Sequence, residues 1–241
     1  MKKYVLTNES GDTGTGVKIK AGKYVHDAAQ HAALLARLTS CAETAELAVL
    51  VSPIVPNNVR LFQVHSWNVA VGDPNQAQNY TVIKEIPTVP RVTLELRMIF
   101  ALLAIREIVT NNDFRVWADD WIGNKSRGAD AALRIRKTLD GEHQASEELE
   151  TLAAWGASSS DDLKTVHKMD EQTQCALHAV RAAELAVGGS SQAEAMAAEL
   201  AIALKDIARD TSKFDLQAIV ARVLNAGPEQ DPDHDIGVAA S

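Results

Sequence analysis

A chain of 241 residues with 46% hydrophobic and 23% charged residues has the composition of an ordinary globular protein with one large domain or two smaller ones. Its formal net charge of −8 argues against binding of extended nucleic acid, because neutralising phosphates requires clustered lysine and arginine. Its most apolar run, residues 98–105, is far shorter than the roughly 20 residues that cross a bilayer, so no membrane partner is predicted.

Cysteine usage and the start of the chain indicate the compartment. Cys41 and Cys175 are far apart and lack metal-ligand spacing, which fits a reducing environment better than a disulfide scaffold. The opening residues carry two lysines but no long apolar run, so they do not form a signal peptide. We therefore expect a soluble, cytoplasmic protein.

Short alternating segments dominate the first 88 residues. We predict a helix that begins at Asp27, because apolar residues follow it at helical spacing on one face. Alternating or continuous apolar runs predict strands around this helix, and in the last strand Val82 and Ile86 are expected on one side. The predicted strands are residues 3–7, 17–20, 47–51, 59–65 and 80–86.

Alanine-rich helical patterns follow Pro87 and Pro90, two residues that cannot donate to a strand ladder. The first helix is apolar on most sides, so we expect it to be the central rod of a bundle. Residues 111–126 are predicted to be irregular or only partly helical. Serine, threonine and glycine boundaries place helices at residues 93–109, 127–139, 146–157, 159–187, 191–209 and 214–224.

These patterns predict an α+β fold in two parts. Residues 1–88 are expected to form a small α/β sheet domain, and residues 91–227 an alanine-rich, all-α helical bundle domain. The acidic segment 228–241 lacks periodic apolar residues and is predicted to be a disordered tail. Small residues on the helices allow close approach, which favours a homo-oligomer.

A cluster of cations is the strongest candidate binding site. It begins at a predicted helix N-terminus, where the amides of Ser126, Arg127 and Gly128 can bind an anion and the glycine permits close approach. The pattern predicts a site for a phosphate-containing small molecule or an acidic partner, or else a solvated helix face on which Asp130 pairs with Arg134. The five cations of the cluster are Lys125, Arg127, Arg134, Arg136 and Lys137.

Two tryptophans precede the cationic cluster. Trp117 and Trp121 are four residues apart and would share a face if their segment is helical. They predict either an aromatic platform for a base or large side chains that fill gaps between alanine-rich helices. The candidate ligand site therefore comprises Lys125, Ser126, Arg127, Gly128, Arg134, Trp117 and Trp121.

Other groupings lack the geometry of a catalytic or metal site. His167, Glu171 and His178 share a helix stripe, but the two histidines are about 16 Å apart along the axis, too far for one ion. His65 and Asp73 suggest hydrolysis, yet no nucleophile elbow accompanies them. Because the chain also lacks a P-loop and a dinucleotide fingerprint, we predict no metal, no cofactor and no catalytic residue.

The segment that begins at the cationic cluster resembles a group of alanine-rich helical proteins from toxin-immunity and phage contexts. In those proteins an apolar helix and an acidic, aromatic connector precede a basic segment that ends near Gly-Glu. Arg127, Ala131 and Arg136 match the basic segment, which ends here at Gly141 and Glu142. The part of the chain up to residue 86 resembles a small N-terminal domain of uncharacterised phage proteins. The resemblance implies a protein that neutralises its target by binding and not by turnover.

Together these observations lead to one expected function and two alternatives. The expected function is that of a non-enzymatic phage or mobile-element protein that counters a defence system or toxin by sequestration. It would trap a nucleotide-like immune signal at the cationic cluster, or block a defence or toxin protein with its helical face. The alternatives are a nucleotide hydrolase in the small N-terminal domain and a structural virion or assembly protein.

Overall fold

The computed structural model describes residues 2–12, 42, 44–55, 59–68, 78–152, 160–187, 189–204 and 215–226. Within these ranges a small antiparallel sheet precedes a set of helices, which confirms the predicted α+β fold. The elements are β1 Lys2–Asn8, α1 Ala45–Leu50, β2 Val59–Asn68, β3 Gln78–Ile86, α2 Leu94–Ile108, α3 Asn112–Ile122, α4 Ala129–Leu152, α5 Ser160–Val187, α6 Ala193–Leu204 and α7 Leu216–Ala226.

Three predictions fall on residues outside those ranges. They are the strand at residues 17–20, the helix that begins at Asp27 and the disordered tail at residues 228–241.

The sheet buries apolar side chains on both of its faces. β2 is the middle strand and pairs antiparallel with β1 and β3. Leu61 and its β1 partner Leu6 belong to the large core that the helices share, whereas the next residue, Phe62, lies in a separate apolar cluster. This division follows from the alternation of side chains along a strand.

A bulge in β3 corrects the predicted pattern of that strand. Gln63 pairs with Lys84 and Val64 pairs with Val82, which leaves Ile83 as an extra residue. As a consequence, Val82 belongs to the separate cluster, and Ile86 packs against the large core. The prediction that these two side chains share one face is therefore wrong.

The apolar run at residues 47–51 contributes to helix α1 and does not form the predicted central strand. Thr44 caps this helix, because its hydroxyl accepts a hydrogen bond from the Leu47 amide at 3.2 Å. A short apolar run fits a buried strand and a buried helix equally well, so contacts made elsewhere in the fold decide between them. Here the deciding contact comes from an arginine in α2.

Arg97 of α2 is 1% exposed and binds the carboxyl-terminal end of α1. Its Nε and Nη2 donate to the Val49 carbonyl at 2.9 and 2.6 Å, Nη2 also donates to the Ser52 carbonyl at 2.5 Å, and Nη1 donates to the Ile54 carbonyl at 2.9 Å. Burial lowers the pKa of Arg97 to about 10, so the guanidinium is charged at neutral pH. It thus satisfies carbonyls at and beyond the helix end, where the helix dipole favours a cation.

α2 is the central helix, as predicted. It contacts α1, α3, α5, α6 and α7. Thr93 caps it through a 3.2 Å hydrogen bond from the Leu96 amide. The core that surrounds α2 also includes residues of α1 and the sheet, so the described apolar cores of the two predicted domains are continuous. The domain boundary near residue 90 stays a prediction.

The connector at residues 111–126 is more regular than predicted. Residues 112–122 form α3, and the Asn111 side chain caps it by accepting a 2.7 Å hydrogen bond from the Phe114 amide. The helix ends at Gly123, and Asn124 adopts a left-handed conformation with φ of 58°. Asparagine tolerates that conformation better than most residues do, which suits it to the turn between two helices.

α4 joins two predicted helices into one. It runs from Ala129 to Leu152 through Gly141, so neither the predicted end at this glycine nor the predicted start at Ser146 is correct. Glycine in a helix interior costs only about 1 kcal/mol relative to alanine. The long contact between α4 and α5 is able to offset a cost of that size.

The last helices follow the predictions more closely. α5 begins and ends at Ser160 and Val187, within one residue of the prediction. A 3-10 turn at Gly189–Gln192 contains Ser191, so α6 begins later than the predicted capping box implies. Asp215 caps α7 through a 3.0 Å hydrogen bond from the Ala218 amide. Among the described helices, none is both long and apolar enough to cross a membrane.

Candidate functional site

The predicted site residues lie where α3 turns into α4. α3 buries one face, formed by Phe114, Trp117, Ala118 and Trp121. Both tryptophans thus share a face as their spacing predicted, and with exposures of 5% and 4% they fill space between helices. A platform that stacks on a base would need an exposed ring face. Rings that are buried to this degree do not offer one.

Arg127 fastens this turn to the rest of the bundle. Its Nη1 lies 2.6 Å from Glu95 Oε1 on α2, and its Nε donates to the Trp121 carbonyl at 3.0 Å. Its guanidinium carbon also lies 4.5 Å from the centroid of the Trp121 ring. The Arg127 guanidinium, which was predicted to bind an external anion, therefore binds groups of the chain itself.

The remaining cations do not converge on the start of α4. Arg136 pairs with Glu184 of α5 at 2.7 Å, and Lys125 lies 4.0 Å from Asp120. Arg134 is two residues from Arg136, which turns the two side chains to different sides of the helix. Arg134 and Lys137 form no ion pair within the described part of the chain, and the predicted pair between Asp130 and Arg134 is not formed there.

Gly128 occupies an open position. It is exposed, and a Cβ built on it would meet nothing within 4 Å. Its carbonyl accepts hydrogen bonds from the amides of Ala131 and Ala132 at 3.1 and 3.4 Å. Within the described ranges, no group accepts a hydrogen bond from the amide of Gly128 itself, so the first turn of α4 keeps a free donor.

A groove between α3 and α4 brings part of the predicted site together. It encloses about 270 Å³ and joins three predicted site residues, Trp117, Ser126 and Arg134, with residues that the sequence analysis did not select. Arg127 and Trp121 are not among its lining residues and contact each other instead. The complete lining is Asp113, Val116, Trp117, Asp120, Ser126, Ala131, Arg134 and Ile135.

Two carboxylates of this groove were missed in the sequence. Asp113 and Asp120 are seven residues apart, so they lie on one stripe of α3, two turns from each other. That spacing, combined with Val116 and Trp117 between them, is the pattern that could have revealed the groove once the segment was known to be helical. The predicted irregular connector concealed it.

One lining residue of the groove carries a buried polar atom that has no partner within the described residues. The indole Nε1 of Trp117 is buried and has no hydrogen-bond acceptor within the described residues. An unpaired buried donor costs about 1–3 kcal/mol, which makes such groups rare in folded proteins. Next to this indole, Val116 is 54% exposed, so an apolar side chain of the groove faces solvent.

The other predicted groupings do not form a site in the part of the chain that the structure describes. His178 Nδ1 lies 2.6 Å from Glu199 Oε2 and thereby links α5 to α6. The His167 and His65 side chains and all of Asp73 lie outside the described atoms. Within the described residues, no group of three potential ligands could hold a metal ion.

Comparisons of the chain with protein-family models, curated protein sequences and solved structures found no match. The resemblance to immunity-type and phage proteins therefore stays a prediction, and the function has to be argued from the groove and its surroundings.

Proposed function

We propose that this protein is a non-catalytic binding protein that acts by sequestration and covers a partner protein with its α3–α4 face. The α3–α4 face denotes the groove between these helices and the exposed side chains along it. Of the two sequestration mechanisms expected from the sequence, this proposal favours the blocking of a protein over the trapping of a nucleotide.

The state of the cations is the observation that supports this choice. A nucleotide trap requires several unengaged guanidinium groups or lysines that meet at one point. Arg127 and Arg136 instead bind Glu95 and Glu184, and only Arg134 of the predicted cations lines the groove. Two aspartates line the same groove and would repel a phosphate.

The size and lining of the groove support the same choice. Small-molecule sites enclose roughly 300–1,000 Å³ and cover most of their ligand. A groove of about 270 Å³ lies at the lower limit of that range, and its open shape suits one or two side chains of a protein partner. An apolar centre with a charged rim is also the usual composition of a protein interface.

The biological context is suggested by the sequence resemblance alone. Proteins of toxin-immunity and phage contexts neutralise by binding, and a protein-covering face fits that mode of action. The proposed target is accordingly a toxin or a defence enzyme, countered by a phage or mobile-element protein.

Site-specific photocrosslinking in the native host tests the proposal. A photoreactive phenylalanine analogue is placed at Val116 in the groove, and for comparison at Ile202, which is 39% exposed on α6. We expect one discrete protein adduct from position 116 and none from position 202. The adduct should disappear when the unlabelled wild-type protein is supplied in excess.

Thermal unfolding with nucleotides supplies the opposing measurement. Tight binding to the folded state raises the melting temperature by mass action. A rise with any nucleotide that is lost in Arg134→Ala would contradict protein covering and restore the nucleotide trap. Product formed from that nucleotide would instead support the hydrolase alternative.

A further inference from the structure

The charged side chains of the α3–α4 groove lie in a definite order, and this order bears on what the groove binds. Asp113 lies in the first turn of α3 and Asp120 lies in the last, so the two carboxylates stand about 10.5 Å apart along the axis. Between them are Val116 and Trp117. The α3 wall of the groove is therefore acidic at both ends and apolar in the middle.

The carboxylates are available to an incoming cation. Asp113 is exposed and forms no ion pair within the described residues. Among the described residues, Asp120 pairs only with Lys125, at 4.0 Å, and their side chains are 44% and 76% exposed. Ion pairs as exposed as this contribute about 0–1 kcal/mol, so a better placed cation can displace Lys125.

The floor of the groove is apolar. Trp117 is 5% exposed and lines the groove, and its indole nitrogen is itself buried, so the part of this side chain that reaches the groove is apolar. An apolar side chain of a partner can pack against such a surface.

We infer that the α3–α4 groove binds a basic amphipathic segment of the partner protein, with cationic side chains at Asp113 and Asp120 and an apolar side chain between them on Val116 and Ile135. This inference rests on the proposed function and specifies the chemistry of the partner. Two cations seven residues apart on a helix match the spacing of the two aspartates, since both are two turns apart. The net charge of −8 adds long-range attraction for a basic partner.

The groove favours a basic segment over a phosphate or an acidic segment, because two aspartates line it and Arg134 is the one cation among its lining residues. Arg134 lies on the α4 wall and lines the opposite side of the groove. It sets the orientation of the basic segment, since a like charge disfavours any arrangement that places a partner cation against α4.

Fluorescence anisotropy with labelled model peptides tests the inference on the full chain. The probe is an amphipathic peptide of leucine and lysine at helical spacing, and its counterpart carries glutamate in place of lysine. We expect the lysine peptide to bind, and the double variant Asp113→Asn with Asp120→Asn to weaken it about tenfold or more, the range of close charge pairs. A Val116→Ser variant should weaken it several-fold.

A charge-matched control separates the groove from the general acidity of the chain. Glu107→Gln with Glu194→Gln removes two exposed carboxylates on α2 and α6, outside the groove lining. We expect less than twofold loss of affinity from this control. Equal losses in the two double variants would overturn the inference, because binding would then reflect only the overall field.

Two other occupants would also overturn it. Tighter binding of the glutamate peptide, lost in Arg134→Ala, would assign the groove to an acidic partner. A dimer at working concentration that dissociates in the aspartate double variant would assign it to a second copy of this chain. The crosslinking and nucleotide measurements do not depend on peptide charge, so the proposed function and this inference can fail separately.

Discussion

The junction between α1 and α2 and the turn between α3 and α4 each contain arginines, but they use them differently. At the first junction Arg97 is 1% exposed, and three carbonyls accept all four of its recorded hydrogen bonds. At the second, Arg127 has a side chain that is 30% exposed, and Arg134 has no ion pair within the described residues. Arg97 makes four hydrogen bonds with its five guanidinium N–H groups, all to carbonyls of the fold, whereas the turn contains charged side chains that have no ion-pair partner in the described residues.

This difference helps to separate charges with a structural role from charges that are candidates for binding. Every interaction of Arg97 stays within the fold, so its physical consequence is stability. At the turn, the exposed side chains of Asp113 and Arg134 line a groove and form no ion pair within the described residues, so both can interact with groups from outside the chain. A charged group left unpaired beside a groove is therefore a better candidate for binding than positive charge by itself.

Removing Arg97 should have the largest effect on the free energy of unfolding. Arg97→Met keeps much of the buried volume but leaves the carbonyls of Val49, Ser52 and Ile54 without their donor. Since each buried group left unsatisfied costs about 1–3 kcal/mol, we expect a loss of about 3 kcal/mol or more. Urea denaturation followed by circular dichroism measures this loss as a lower midpoint.

An exposed arginine and pH provide the controls for that measurement. Arg181→Met on the exposed side of α5 should change the unfolding free energy by less than about 0.5 kcal/mol. Because the lowered pKa of Arg97 is still about 10, its charge is constant between pH 6 and 9, and the loss should be constant as well. A small loss for Arg97→Met would mean that the three carbonyls do not depend on Arg97. The first junction would then not differ from the α3–α4 turn in the way described above.

Arg127→Met and Arg134→Met should differ in unfolding free energy, by less than the loss expected for Arg97→Met. Arg127→Met removes a partly exposed ion pair, a hydrogen bond to a carbonyl and a cation–π contact, for which we expect a loss of roughly 1–2 kcal/mol. Arg134→Met should leave the unfolding free energy within about 0.5 kcal/mol of wild type, because Arg134 is exposed and forms no ion pair with the described residues. Thermal unfolding of both variants in low salt measures the difference.

High salt separates the stabilisation that comes from the Arg127–Glu95 ion pair from the other contributions of Arg127. In 1 M salt the screening length falls to about 3 Å, so the part of the Arg127 effect that comes from Glu95 should shrink. The Arg97 effect should persist, because its partners are buried carbonyls. If Arg134→Met proved as destabilising as Arg127→Met, Arg134 would have a structural role. It would then not be free to interact with a partner, and the proposed binding role of the groove would lose one of its arguments.

The fold was predictable where local patterns were long or flanked by caps. Thr93 and the apolar stretch that follows it located α2, and the alternation of β2 located that strand, because each pattern has one dominant periodicity. α1 was missed, since a run of five apolar residues has no distinctive period and the deciding contact, Arg97, lies far along the chain. Gly141 misled for the opposite reason, because tertiary packing carried the helix through a weak stop signal.

The candidate site was predictable only in part, for a physical reason. The sequence displays the cations after Ser126 but not their partners, and Glu95 and Glu184 are distant in sequence from the arginines that they bind. Pairing of that kind is a property of packed helices. Asp113 and Asp120 were overlooked because their common face exists only after residues 112–122 become a helix.

The smallest effect concerns the glycine at the start of α4. Gly128→Ala adds a methyl group where nothing lies within 4 Å, and the position is not one of the described left-handed glycines, which are Gly11 and Gly189. Alanine restricts the unfolded chain but is a poorer N-cap than glycine, so the two effects oppose each other and we expect a change of less than about 0.5 kcal/mol. The matched control, Gly189→Ala, meets a φ of +67° and should lose about 1 kcal/mol. A loss of more than about 1 kcal/mol for Gly128→Ala, measured in the same urea titration, would mean that the start of α4 tolerates substitution as poorly as the Arg97 junction does.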